Sequence, residues 1–253
     1  MNDKENMILK KRIAELADAT WQRDVPSCTD FLGLEEQTVF HSVLHDLPPV
    51  RYLLDGGYED AERRVVCFLP SYSSESGREH LPVVRLTVTP RDLRFAEKLT
   101  HRDYLGALMN LGIERSNIGD ILVSESGAQL FCLERMADYL CEEFRRVRHT
   151  DVDCVRAGEE EEIARNYLPV GGSVASPRLD AVIALVFRLS RGKVTPYIEG
   201  GKVFCDGRQV LSAAHQLKEG EVVSVRGLGK FRFLGVEKET RKGRCFVNCE
   251  LFA

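Results

Sequence analysis

The sequence contains no apolar run near the ~18 residues that a membrane span requires. Its start, Met1 to Met7, lacks the basic-then-apolar pattern of a signal peptide. Neither a membrane partner nor secretion is expected, and a cytoplasmic location is. The eight cysteines never fall as CxxC. Cys245 and Cys249 come nearest, but no histidine lies close by in sequence to complete a zinc set. Reduced, half-buried thiols are expected, with no metal and no cofactor. Also missing are G-x-S-x-G, HExxH, a dinucleotide fingerprint and a carboxylate-rich metal motif. Gly56-Gly57 has neither the third glycine nor the Lys-Ser/Thr of a phosphate cradle and reads as a turn. His101-Arg102-Asp103 matches a kinase HRD in letters only, because the Gly-rich loop, the ATP lysine and DFG are absent. His101 is read as a helix-entry residue with Asp103 in the first turn, and no enzyme activity is expected. No internal repeat or low-complexity tract is present.

What the chain does have is length for two or three small domains and an uneven distribution of charge. From Ser173 onward there are 14 Lys/Arg and 8 Asp/Glu, a net +6, which leaves 21 basic and 31 acidic residues, a net −10, before it. An acidic body with a basic C-terminal part is the asymmetry expected when one part faces nucleic acid.

Periodicity predicts an α+β protein. Residues 3–22 read as a helix with Met7, Ile8, Ile13, Leu16, Ala17 and Trp21 on one face. A second helix is expected near Leu34 to Leu44, then strands at Val50 to Leu54 and Val65 to Leu69. Residues 81–157 follow a tidier plan: strand Val83 to Val88, helix His101 to Leu111, a hairpin of Asp120 to Ser124 and Gln129 to Leu133, helix Arg135 to Val147, strand Asp151 to Val155. Strand–helix–strand–strand–helix–strand is the ferredoxin-like plan of RNA-recognition motifs. Such motifs stack bases on aromatics of their central strands. The third strand here offers only Phe131, so base stacking on that sheet is not expected. Glu159 to Glu162 read as the solvated start of a short helix, and Gly171-Gly172-Ser173 as a flexible link. The expected division is 1–75, an N-terminal α/β segment; 76–170, a central ferredoxin-like (RRM-like) βαββαβ domain; and 171–253, a basic C-terminal module.

In that module Leu179, Val182, Ile183, Val186 and Leu189 give one helix an apolar face, and Val194, Tyr197 and Ile198 give a second. Ser190 is placed to cap the second helix, beside Arg191 and Lys193. Free N–H groups, a positive dipole end and two full charges at one spot suit a phosphate. Lys202 to Arg208 read as a strand entering an Asp206-Gly207 turn, and Glu221 to Gly227 as another strand. Over these fifty or so residues, Arg178-Leu179-Asp180, Ser190-Arg191, Ile198, Gly201-Lys202-Val203, Asp206-Gly207, Gly220-Glu221 and Val225-Arg226-Gly227 resemble the S-four RNA-binding domain. Pro196 departs from that domain's pattern, which usually has a helix former there. It is expected to kink the second helix or delay its start towards Thr195.

The resemblance extends further. Gly56-Gly57-Tyr58 with Ala61-Glu62-Arg63, and the string from Leu99 to Val123, look like the YlmH family, bacterial S-four proteins encoded near cell-division genes, with relatives in chloroplasts. The match runs from about residue 31 to the end. It implies a non-catalytic protein that binds structured rRNA or tRNA on the large ribosomal subunit and is linked to rescue of obstructed subunits carrying peptidyl-tRNA. Duplex DNA is not expected as a partner. The expected RNA surface is Arg178, Ser190, Arg191 and Lys193, supported by Lys202, Arg208, Arg226 and Lys230; a second contact is His101, Arg102 and Arg115. Two other readings compete: an RNA-modifying, pseudouridine-synthase-like enzyme anchored by the S-four domain, and a cell-division interaction factor whose RNA binding is incidental.

Overall fold

A computed structural model of the chain describes residues 3–92, 94, 96–158, 161–163, 167–239 and 243–252. The chain divides into two compact units, residues 1–164 and 165–253. The segments expected as separate N-terminal and central domains therefore share one unit, and the C-terminal unit starts at 165 rather than 171.

The first unit opens with α1 (Asp3–Arg23), β1 (Ser27–Cys28), α2 (Leu34–Val43), β2 (Arg51–Asp55) and β3 (Val65–Leu69). The three strands form an antiparallel sheet in the order β1-β3-β2. β3 is apolar at every position because both its faces are covered. Val66 and Phe68 pack with Ile13, Leu16 and Ala17 of α1 and Phe40 of α2, while Val65, Cys67 and Leu69 belong to a second cluster on the other face. Met7, Ile8 and Trp21, expected on the buried face of α1, are instead 68%, 60% and 56% exposed. On a helical wheel they fall roughly 90–130° from the centre of the Ile13–Leu16–Ala17–Thr20 stripe, outside its width. Cys28 and Cys67 are register partners on β1 and β3 and are joined by a disulfide. This corrects the expectation of reduced thiols throughout, since strand pairing brings together two cysteines 39 residues apart.

Next come β4 (Val83–Pro90), α3 (His101–Asn110), β5 (Ile118–Ser124), β6 (Gly127–Leu133), α4 (Glu134–Glu143), β7 (Arg146–Val147) and β8 (Thr150–Arg156). They make a five-stranded antiparallel sheet ordered β5-β6-β4-β8-β7. Apart from the short β7, this is the strand–helix–strand–strand–helix–strand plan with its first and third strands central. Alternation along β6 serves two cores. Ala128, Leu130 and Cys132 pack with Tyr104 and Leu108 of α3 and Ala137 and Leu140 of α4. Phe131 and Leu133 turn the other way, onto Phe31, Tyr58, Val65, Cys67 and Leu69. The layers thus run helices, three-stranded sheet, five-stranded sheet, helices.

α4 stops at Glu143, four residues short of the expected end. Phe144 is drawn into the core, and Arg148 takes a left-handed φ of 54° that turns the chain into the β7–β8 hairpin. Of the acidic run expected to start a helix, Glu159 and Glu160 lie outside the described residues. Glu161 and Glu162 are not helical, and the Glu161 carboxylate instead accepts hydrogen bonds from Thr87 Oγ1 and Gln129 Nε2 on the sheet.

The second unit contains β9 (Tyr167–Val174), α5 (Leu179–Val186), α6 (Arg191–Glu199), β10 (Val203–Cys205), β11 (Arg208–Gln209), β12 (Val222–Val225), β13 (Gly229–Glu239) and β14 (Cys245–Phe252). Its sheet order is β11-β10-β12-β13-β14-β9. Leu179, Val182, Ile183, Val194 and Ile198 of the helices share a core with Val203, Val223, Val225, Phe231 and Val247 of the sheet. Gly171 and Gly172, expected in a flexible link, sit inside β9 opposite Asn248 and Val247. A Cβ at Gly172 would run into Leu185 of α5, so the glycine serves close packing there. Pro169 is tolerated because β9 is an edge strand. The Asp206-Gly207 turn has positive φ at both residues (46° and 75°), as a two-residue hairpin requires.

Candidate nucleic-acid interface

The two helices of the second unit present different N-termini. At α5, Arg178 holds the N-cap position, and the first amides are already used: Leu179 N–H donates to the His215 carbonyl (2.8 Å) and Asp180 N–H to that of Ala213 (3.4 Å). The Arg178 guanidinium is held by the Asp180 carboxylate through two 3.1 Å hydrogen bonds. Asp180 therefore acts as a local partner of Arg178. Arg178 is a clamp on its own helix, with its charge largely answered.

At α6 the N-terminus is open. Ser190 occupies the N-cap in extended conformation, but its side chain makes no capping hydrogen bond, contrary to expectation. No acceptor among the described residues takes the Arg191 and Gly192 N–H groups. Ser190, Arg191, Gly192 and Lys193 are all exposed, and nothing lies within 4 Å of where a Cβ of Gly192 would be. The helix starts at Arg191 and runs through Pro196, rather than starting near Thr195. The proline removes one ladder donor, and Thr195 Oγ1 donates to the Arg191 carbonyl at 3.2 Å. Two cations, two unused amides and a positive dipole end thus share one accessible spot.

Two of the supporting cations, Lys202 and Arg226, do not join that spot. Lys202 and Arg226 are neighbours just past the other end of α6, linked by Arg226 N–H donating to the Lys202 carbonyl (2.9 Å). A nine-residue helix, about 13 Å long, separates them from Arg191. Lys202 sits over the Tyr197 ring and Arg226 over Phe204 (5.8 and 5.4 Å). Lys230, opposite Ser224 on the sheet, lies 4.6 Å over the Phe252 ring. Arg208 follows the Asp206-Gly207 turn at the far end of β10. Arg188, exposed at the α5–α6 turn with φ 53°, was not anticipated; its place just before Ser190 is the signal that could have found it.

In the first unit, Thr100 is the N-cap of α3 and Asp103 the N3 partner of its capping box, the Asp103 carboxylate accepting from Thr100 N (2.8 Å) and Thr100 Oγ1 (2.7 Å). Those bonds, with Arg148 nearby, hold Asp103 below the usual carboxylate range. His101 is surface-accessible, yet partial burial of its ring and then the Arg115 charge lower its pKa. Arg115 turns inward, donating to the Ile118 (2.6 Å) and Gly119 (3.0 Å) carbonyls, and burial lowers it to about 10. Of the expected second contact, His101 and Arg102 remain on the surface, whereas the Arg115 guanidinium is tied to backbone carbonyls. Cys205, His215 and Glu221 bring a thiol, an imidazole and a carboxylate within 4.8 Å of one another, a set chemically able to hold a cation. Here they form hydrogen bonds: His215 Nε2 to Glu221 Oε1 at 2.9 Å, and Lys218 N–H to Glu221 Oε2 at 2.8 Å.

The two-helix unit on its antiparallel sheet, and the five-stranded domain before it, both lie in regions that match RNA-binding families. Residues 177–223 match the family model of the S4 (S-four) domain, and residues 88–161 that of the RNA-binding domain in YlmH. The chain thus carries, in one sequence, matches to both the YlmH RNA-binding domain and the S-four domain. It is 29% identical over 231 residues to the Ribosome-associated protein quality control protein P2 of Bacillus subtilis (strain 168), covering 88% of this chain and 86% of that one. Its fold is also similar to the solved Cell division protein ylmH from Streptococcus pneumoniae, with a TM-score of 0.51, 20% identity, and coverage of 65% of this chain and 98% of that one. No helix of the described residues is long and apolar enough to cross a membrane.

Proposed function

We propose that this protein is a non-catalytic, cytoplasmic RNA-binding factor that grips folded ribosomal or transfer RNA on the large ribosomal subunit and acts in rescue or quality control of stalled translation. The observation that carries the reading is the uncapped N-terminus of α6 with Arg191 and Lys193 exposed on either side of Gly192. Backbone amides and two cations can take a phosphate there, while Lys202 and Arg226 offer a second hold along the same strand of RNA. Contacts of this kind fix position rather than read bases, so selectivity rests on the shape and 2′-hydroxyls of structured RNA, and duplex DNA is disfavoured. The name of the Bacillus subtilis relative supports the link to the ribosome and to quality control. Asp103 of the His101-Arg102-Asp103 triplet is engaged in helix capping and Asp180 in an ion pair, which supports a non-enzymatic role.

Crosslinking in cells followed by sequencing of the bound RNA tests the target, with Arg191→Glu/Lys193→Glu as the control chain. Enrichment of rRNA or tRNA lost in the double variant is expected. Unchanged affinity in a correctly folded double variant would reject the α6 surface.

A further inference from the structure

Residues 88–161 match an RNA-binding family model, yet the sheet face on which RNA-recognition motifs stack bases is closed here. Phe131, at the centre of that face, is 1% exposed and stacks on Tyr58 with ring centroids 4.9 Å apart. Thr87 and Gln129, on the same face, are taken by Glu161. An RNA contact in this domain has to use another side.

The opposite, helical side has a cavity of about 490 Å³ between α3 and the turn from α4 into β7. Its rim carries Arg102, Arg145, Arg146 and Arg148 against only Asp103 and Glu143. This net positive basin lies in a stretch whose overall charge is −10, so it is not an average sample of the surface. Three of the arginines already touch carboxylates: Arg145 to Asp153 (3.6 Å), Arg146 to Asp151 (4.0 Å), Arg148 to Glu97 (3.4 Å) and Asp103 (3.6 Å). The guanidinium groups are 50–62% exposed and every contact is longer than 3.3 Å, so the pairs of Arg145 and Arg146 are of the kind worth little and readily exchanged, while Arg148 bridges Glu97 and the less exposed Asp103. A phosphate offers each guanidinium a bidentate, doubly hydrogen-bonded alternative. The cavity is within the ~300–1,000 Å³ of ordinary ligand sites, more than one phosphate fills. Its wall includes Gly106, which has nothing within 4 Å of a would-be Cβ, leaving space for a sugar or base behind the phosphate.

We propose that this arginine-rimmed cavity is a second RNA site, gripping the phosphate backbone from the helical side of the domain instead of the sheet. It rests on the reading of the protein as RNA-binding, and the test separates the two. Binding of the full chain to fluorescently labelled tRNA is measured by anisotropy over a series of salt concentrations. Four forms are compared: wild type, Arg102→Glu/Arg146→Glu, Arg191→Glu/Lys193→Glu, and all four changes together. Arg102→Gln/Arg146→Gln serves if charge reversal lowers the melting temperature. The cavity pair is expected to weaken binding about tenfold and to make the salt slope shallower by about 1.4–1.8, the share of two phosphate contacts. Its effect adds to that of the α6 pair, and ultraviolet crosslinks map to residues 101–111 and 143–149. Unchanged affinity and slope in the cavity pair, with loss in the α6 pair, would overturn the second site and leave the RNA reading standing. A wild type that binds no RNA would sink both. Competition by polyglutamate as effective as that by RNA would reassign the cavity to acidic protein.

Discussion

The Tyr58 hydroxyl donates a 2.8 Å hydrogen bond to Asp120 Oδ2, tying the loop after β2 to strand β5. The same carboxylate accepts from Glu62 N (2.6 Å) and Arg63 N (3.1 Å). Burial, and then the Asp120 charge, push the Tyr58 phenol well above its ordinary value, so it remains a donor. This junction helps hold the N-terminal layer on the face of β6 and the Tyr58 ring on Phe131. Tyr58→Phe keeps the ring and removes one charge-assisted bond, so a loss of about 1–2 kcal/mol is expected. Asp120→Ala strands three donors, and about 3 kcal/mol or more is expected. Urea unfolding of the full chain checks both; equal losses would show that Asp120 is not the hub.

Arg178 and Arg191, each at a helix N-terminus of the S-four unit, should behave differently on RNA. Arg191→Ala with Lys193→Ala should make the salt slope of tRNA binding shallower by about 1.4–1.8. Arg178→Ala should change it little, because Asp180 already holds that guanidinium. A slope change from Arg178→Ala as large as that of a single open-mouth cation would contradict this placement.

The acid limb of stability should include Glu79, whose pKa is lowered to about 2, chiefly by the Ser74 hydroxyl and then by backbone amides. A carboxyl depressed in the folded state stabilises above its unfolded value near 4.3 and loses that contribution as pH falls through about 2. Ser74→Ala should therefore lower the urea midpoint at pH 6, with the gap to wild type closing between about pH 4.3 and 2. A gap of the same size at pH 2 would rule out the carboxylate as its source.

Gly127 opens β6 at φ 146°, and a Cβ there would sit on the Val88 carbonyl oxygen of the neighbouring strand. Backbone cannot yield as a side-chain tip can. Gly127→Ala should destabilise the first unit by about 2–3 kcal/mol. Gly106→Ala, where nothing lies within 4 Å, should be neutral or mildly stabilising. Thermal unfolding of both variants decides it.

Much of the fold was legible because the elements are short, strongly periodic and punctuated. The βαββαβ plan, α1, α2 and the Asp206-Gly207 turn all follow from apolar spacing and turn residues. What was missed required knowledge of partners. Gly171-Gly172-Ser173 reads as a link because glycines carry no pattern, yet Leu185 and β14 make it part of the strand Tyr167–Val174. Arg145-Arg146-Val147 reads as the tail of a helix, because nothing local reveals that Phe144 is pulled into the core and that Arg148 turns left-handed.

By itself the sequence determined which cations the protein has and which helix begins beside them, since charge and periodicity are local properties. Only the tertiary structure decided which cations face outward. Asp180 claims Arg178, two carbonyls claim Arg115, and the N-terminal layer closes the sheet face around Phe131. Those outcomes depend on groups far apart in the chain meeting at hydrogen-bond distance, and no spacing along the sequence specifies such a meeting.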